Sequence, residues 1–196
     1  MEIFDCIQGE EDWFKARLGI PTSSSFDKII TTAGLPSKSA EKYMFKLAGE
    51  FVSGKSEETY QNAAMQRGTE LEDEARQLYQ IVNDVEVEQV GFCLAEGYGC
   101  SPDGLVGKDG MLEIKCPSVS VHVEYLLKGK LPTAYFQQVQ GQMLVTERKF
   151  CEFISYYPGI KPFIIRVERD EEFLAKLEVE LEKFCAELKE TINKIR

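Results

Sequence analysis

Asp103, Glu113 and Lys115 stand in one stretch, residues 101–117, which reads SPDGLVGKDGMLEIKCP. Nine residues separate Asp103 from Glu113-Ile114-Lys115. Side chains alternate faces along a strand, so Glu113 and Lys115 project together, and Leu112, Ile114 and Cys116 project to the other side. A carboxylate and an amine on one face, with an apolar face beneath, is what the centre of a metal-assisted hydrolase needs. The stretch from Gly104 to Gly110 can turn the chain back and lay Asp103 next to Glu113. Two carboxylates that close repel each other, and a bound divalent ion resolves the repulsion.

Three further groups could serve the same chemistry. The segment RGTELEDEAR carries Glu70, Glu72, Asp73 and Glu74 on a helix expected from Met65 to Ile81. Leu71, Ala75, Leu78 and Val82 form its apolar stripe. Glu72 lies at the edge of that stripe and is the acid best placed to reach an interior site; the plainer reading is four solvated charges. A helix over 132–147, with Pro132 at its first position, puts Tyr135, Gln138 and Gln142 on one face. Glutamines there can donate amide hydrogens to a phosphate without changing the site's charge. Arg17 with Thr22 and Ser24 offers a bidentate fork and hydroxyls beside a helix N-terminus, either as an anion pocket or as a routine cap and surface arginine.

The elements that must position these residues follow from periodicity. Short helical spacing runs over 13–18, and Thr22-Ser23-Ser24-Ser25 precedes Phe26, Ile29 and Ile30 as a helix start. Ala40 to Phe51 is helical, with Tyr43, Leu47 and Phe51 on one stripe. The period changes to strand over 85–94, and 100–105, 111–116, 150–157 and 163–168 are further strands, the last two split by Pro158-Gly159. Phe173, Leu177, Leu181, Phe184, Leu188, Ile192 and Ile195 line a C-terminal amphipathic helix. The order predicts a single mixed α/β domain over 1–196.

Composition narrows the chemistry. The chain has 196 residues and a net charge of −10, which by itself argues against a nucleic-acid partner. The acids, however, crowd the last 30 residues, while lysines gather over 28–55 and 128–130. The six cysteines form no C-x-x-C pair, so a zinc or iron–sulfur site is not expected, and His122 is the single histidine. No run reaches membrane-spanning length and the N-terminus lacks a signal-peptide pattern, so an intracellular location is expected.

Taken together, DWFKARLGIPTSSSF, RGTELEDEAR, CSPDGL, LEIKCP, AYFQQVQGQM and RVERDEEF, in that order, resemble the lambda-exonuclease and YqaJ-type viral recombinase nucleases of the PD-(D/E)xK superfamily. The resemblance implies a central mixed sheet flanked by helices. It also implies a Mg²⁺-dependent 5′-to-3′ exonuclease on double-stranded DNA ends, with two ions per site and Mn²⁺ as a possible substitute. Products would be mononucleotides and 3′ single-stranded overhangs. Expected partners are two further copies in a homotrimeric ring and a single-strand annealing protein, in the cytoplasm of a bacterial host of a phage or prophage. Carried over by position, Asp103, Glu113 and Glu72 are metal-binding acids, with the Ile114 carbonyl completing the shell, and Lys115 is the catalytic lysine. Arg17, Thr22, Ser24, Ser101 and Gln138 fall where the family holds the 5′-phosphate and the scissile region. Gln140 and Tyr135 share that helix, and Met65 falls near an apolar side chain that parts the DNA end. The loop 31–39 is shorter than in lambda-type members and lacks their groove-tracking arginine, leaving Lys38 as the substitute.

Lys115 could orient or deprotonate the attacking water or neutralise the phosphorane, and next to two cations it is expected to lose its proton more easily than a free lysine. Competing readings are a PD-(D/E)xK endonuclease, a Cas4-like nuclease, which would need a cysteine cluster, and a catalytically silent DNA-binding scaffold.

Overall fold

A computed structural model describes residues 1–56 and 63–196, with the side chains of 63–67, 69 and 70 outside the description. In chain order the elements are β1 (Glu2–Phe4), α1 (Glu11–Arg17), a 3₁₀ helix (Ser23–Lys28), α2 (Ala40–Ser53), α3 (Ala63–Asn83), β2 (Val87–Glu88), β3 (Phe92–Leu94), β4 (Gly99–Cys100), β5 (Gly104–Val106) and β6 (Gly110–Lys115). There follow α4 (Val119–Lys128), a 3₁₀ turn (Thr133–Tyr135), α5 (Phe136–Thr146), β7 (Phe150–Ser155), β8 (Phe163–Glu168) and α6 (Glu171–Ile195). Five strands form a mixed sheet in the order β2-β5-β6-β7-β8, in which β6 and β7 are parallel and the other pairs antiparallel. A smaller antiparallel sheet joins β1, β3 and β4.

The alternation along β6 sorts the two faces as its sequence requires. Leu112 and Ile114 pack with Ala75 and Tyr79 of α3, and Cys116 lies against the same cluster. Met111 faces the larger core on the other side, with Phe153, Met143 and the α6 stripe Phe173, Leu177, Leu181, Phe184 and Leu188. Asp170 caps α6, its carboxylate accepting from the Phe173 N–H at 3.0 Å.

Several expected elements divide or shift. The strands expected over 85–94 and 100–105 each break in two, and the halves join different sheets: β2 and β5 the larger, β3 and β4 the smaller. Gly91 marks the first break, where a Cβ would stand 2.4 Å from the Cys6 carbonyl oxygen. The helix expected from Pro132 begins instead as a 3₁₀ turn, and the α-helix starts at Phe136. Phe51 and Val82 are exposed, the α3 stripe turning through Tyr79 rather than Val82. Sequence periodicity did not reveal β1 or α4. Within α4, His122 is fully buried and spends its ring nitrogens on the Ser155 hydroxyl at 2.8 Å and the Lys161 carbonyl at 3.1 Å. Among the described residues no helix is long and apolar enough to cross a membrane.

Candidate active site

The site begins with the pairing of β5 and β6. Gly104 lies opposite Leu112, so Asp103 falls opposite Glu113 and on the same face. Asp103 is locked at both ends. Its N–H donates to the Leu112 carbonyl at 3.0 Å, and its Oδ2 accepts from the Ile114 N–H at 2.5 Å. Glu113 is 1% exposed, and both its oxygens are engaged. Oε1 takes the Lys115 ammonium and the Gln138 amide at 2.6 Å, and Oε2 takes the Gln142 amide at 2.7 Å. Lys115 lies with its ammonium 5.3 Å from the centre of the Tyr135 ring, which in turn packs on Phe153.

Glu72 reaches this group from α3. Arg76, one turn on, binds Glu72 Oε1 at 2.8 Å, bonds Asp73, and donates from Nε to the Asp103 carbonyl at 3.0 Å. One nearly buried guanidinium thus ties the helix to the strand and sets Glu72 beside the acids.

The electrostatics follow from crowding. Burial, then Glu113 and Glu72, push the Asp103 carboxyl well above its ordinary range. Burial also raises Glu72, with Arg76 opposing and Glu113 adding. For Lys115, burial favours the neutral amine, but Glu113 and Asp103 outweigh it and hold the ammonium above its usual value. Among these side chains alone, then, Lys115 keeps its proton; the expected easier ionisation belongs to a site with cation charge beside it.

A hard divalent cation suits this donor set. The available ligands are carboxylate and carbonyl oxygens, and the carboxylates are raised by burial and then by mutual repulsion, which a cation would relieve. Among the described residues no three acidic, histidine or cysteine side chains already converge as a ligand cage. Mg²⁺ does not need one, since it binds through one or two carboxylates and keeps several waters.

A second cluster adjoins through Ser101-Pro102-Asp103. The Trp13 indole N–H donates to the Ser101 hydroxyl at 2.8 Å. The Arg17 guanidinium stacks 3.8 Å from the Trp13 ring centre and donates to the Thr22 hydroxyl at 3.3 Å. The Ser24 hydroxyl lies 3.2 Å from that of Thr22. The expected helix start here is a six-residue 3₁₀ helix, and Thr22 does not cap it with its side chain. The Thr22 hydroxyl therefore meets Arg17 and Ser24 instead of a helix end. Gly141 of α5 makes this packing possible, because a Cβ there would stand 2.3 Å from the Phe26 ring.

This arrangement matches a known family. The model of the YqaJ-like viral recombinase domain matches residues 12–149, which hold every element of the site. The chain belongs to that family. An alkaline exonuclease of Laribacter hongkongensis, LHK-Exo, is 39% identical, with 95% of this chain and 96% of that one covered at a TM-score of 0.86. LHK-Exo in complex with dAMP is 40% identical over the same shares at 0.85. A phage-related exonuclease of Haemophilus somnus shares the fold at 18% identity and a TM-score of 0.72, with 90% of this chain and 96% of that one covered. An uncharacterized protein of Acanthamoeba polyphaga mimivirus is 32% identical over 111 residues, 48% of this chain, and the chain spans only 20% of its length. The mixed α/β nuclease fold expected from the resemblance is the fold observed.

Against the expected family residues, the structure brings together Glu72, Asp103, Glu113, Ile114, Lys115, Gln138 and Tyr135, and in the adjoining cluster Arg17, Thr22, Ser24 and Ser101. Gln140 does not belong with them. It is 1% exposed, and its amide bonds the Glu168 carbonyl and the Asp170 N–H at 2.9 Å each, joining β8 to α6. Two residues from Gln138 on a helix is the opposite face, so Gln140 stands apart from the residues around Glu113. Lys38 is exposed in the loop before α2. Met65 lies outside the described side chains. Trp13 and Arg76 were given no role by motif reading, although each stands four residues from a residue that was, Arg17 and Glu72; Gln142, read as a donor to a phosphate, donates to Glu113 instead. The Gln142 side-chain oxygen is buried without a hydrogen-bond partner among the described residues, a cost of about 1–3 kcal/mol.

Proposed function

We propose that this chain is a Mg²⁺-dependent 5′-to-3′ exonuclease that degrades one strand of duplex DNA from 5′-phosphorylated ends and leaves 3′ overhangs for phage-type recombination. The carrying observation is a paired-strand set of Asp103, Glu113 and Lys115, joined by Glu72, with a cationic hydroxyl pocket reached through Ser101. Family membership and the alkaline exonucleases of the same fold support a DNA exonuclease acting in recombination. The complex of LHK-Exo with dAMP supports release of mononucleotides, because a nucleoside monophosphate is the product such an enzyme yields.

Bound Mg²⁺, or Mn²⁺ in its place, would supply Lewis-acid activation of water and stabilisation of the leaving oxygen, with two ions per site. Asp103 and Glu113 would hold the ions with the Ile114 carbonyl, and Glu72 would contribute from α3. Lys115, held by Glu113, would orient or deprotonate the attacking water or neutralise charge at the scissile phosphate. Arg17, Thr22, Ser24 and Ser101 would grip the terminal phosphate, placing the first phosphodiester at the acids and producing single-nucleotide steps. Tyr135 and Gln138 border the same cleft. The reading includes a homotrimeric ring, a single-strand annealing partner and action in the cytoplasm of a bacterial host of a phage or prophage.

Digestion of linear duplex with 5′-phosphate, 5′-hydroxyl or covalently closed ends, with and without Mg²⁺, tests this. Mononucleotides released from phosphorylated 5′ ends only when Mg²⁺ is present are expected. Cutting of closed circles, equal rates on both linear ends, or activity in EDTA would overturn it.

A further inference from the structure

We propose that Gln142 is a positioning residue for Glu113, holding that carboxylate in the orientation in which it meets a divalent cation. The inference rests on the metal-dependent reading above and adds to it a side chain from α5.

The two oxygens of Glu113 have different surroundings. Oε1 is shared by Lys115 and Gln138, both of them part-exposed at the cleft. Oε2 is held by Gln142, which is fully buried. A cation approaching from the cleft therefore meets Oε1, displacing the Gln138 amide or sharing the oxygen with it. The Gln142 bond lies behind the carboxylate and can persist. It fixes the terminal torsion of Glu113, which is otherwise broad and two-fold, and presents a single oxygen outward.

The chemistry of the donor fits this task. An amide donates a hydrogen bond but leaves the carboxylate its full charge, whereas lysine or arginine at that position would compete with the metal. The setting argues against mere packing. Val139 and Met143, neighbours on α5, are fully buried and apolar. Gln142 among them leaves its own side-chain oxygen without a partner among the described residues. An apolar side chain of the same volume would fill the space without that orphan, so the bond to Glu113 is what the amide provides there. The helix holds it in place, with Thr146 Oγ1 donating to the Gln142 backbone carbonyl at 2.7 Å.

Binding of Mn²⁺ to the full chain without DNA, followed by calorimetry or by the paramagnetic signal of the free ion, tests the proposal. Gln142→Met removes the donor at nearly constant volume. Gln142→Asn keeps an amide that stops one methylene short of Glu113, and keeps the test decisive should the first variant not fold. Both are expected to weaken Mn²⁺ binding by about 10–100-fold, the usual effect of losing a partner behind a ligand. In EDTA Gln142→Met loses a donor to Glu113 and is relieved of the orphan oxygen, so its melting should move little either way, and DNA-end binding in EDTA should not change. An unaltered chain that binds Mn²⁺ while both folded variants bind it equally well would overturn this inference alone. An unaltered chain that takes up no Mn²⁺ would overturn the metal reading itself, and this inference with it.

Discussion

The acid cleft and the pocket around Arg17 sit side by side but are built in opposite ways. In the cleft, charge is buried and backbone register does the positioning. Asp103 and Glu113 are opposed by strand pairing, and dedicated donors from Ile114, Gln138, Gln142 and Arg76 hold the carboxylates and the adjoining main chain. In the pocket, the Arg17 guanidinium rests on an indole beside hydroxyls, and three segments meet mostly through side-chain bonds, with one backbone bond from the Gly99 N–H to the Pro21 carbonyl. A rigid, self-repelling cleft suits chemistry that needs fixed oxygens. A pocket with a guanidinium and adaptable hydroxyls suits recognition of one phosphate end. Damage to the first should abolish turnover, and damage to the second should change which ends are chosen.

The largest effect is expected at Lys115. Lys115→Ala should lower turnover by about 10²–10⁴-fold while leaving Mg²⁺-supported DNA binding intact, read by single-turnover digestion beside a binding assay. Asp103→Asn should also silence the enzyme, yet stabilise it. An acid whose folded pKa is raised binds more protons folded than unfolded, so its contribution is present below the ordinary value of 3.8 and is lost as pH rises toward the raised folded value. At neutral pH the variant, melted in EDTA, should gain ~2–4 °C for each 1 kcal/mol relieved, and the gain should vanish in acid. A variant that melts lower at neutral pH would mean that the cleft is not self-repelling.

Smaller effects belong to the pocket. Arg17→Ala should cost about tenfold in the preference for 5′-phosphate over 5′-hydroxyl ends, measured as a ratio of rates. Trp13→Phe keeps the stacking surface but loses the bond to Ser101, and should cost about fivefold in the same ratio. Gln140→Leu should leave that ratio unchanged and lower stability by about 1–3 kcal/mol, because a backbone carbonyl and an N–H lose their partner. A shift in end preference from Gln140→Leu would show that the two faces of α5 are less separate than their contacts indicate.

Local chemistry in the chain was enough for Asp103, Glu113, Lys115 and the long amphipathic helices. Strand alternation and helical spacing are properties of neighbouring residues, and they survive folding unchanged. Glu72 was the best candidate among four acids from its place beside the stripe, and Arg76 four residues later is what makes it so. Three-dimensional packing decided the rest. No local pattern announces that one apolar run will break at Gly91 and feed two sheets, because the reason is a carbonyl from the N-terminal segment pressed against it. Nor does spacing separate Gln138 and Gln142, which grip Glu113, from Gln140, which joins β8 to α6. Their partners lie 25 to 30 residues away in sequence, and only the closed fold brings them within bonding distance.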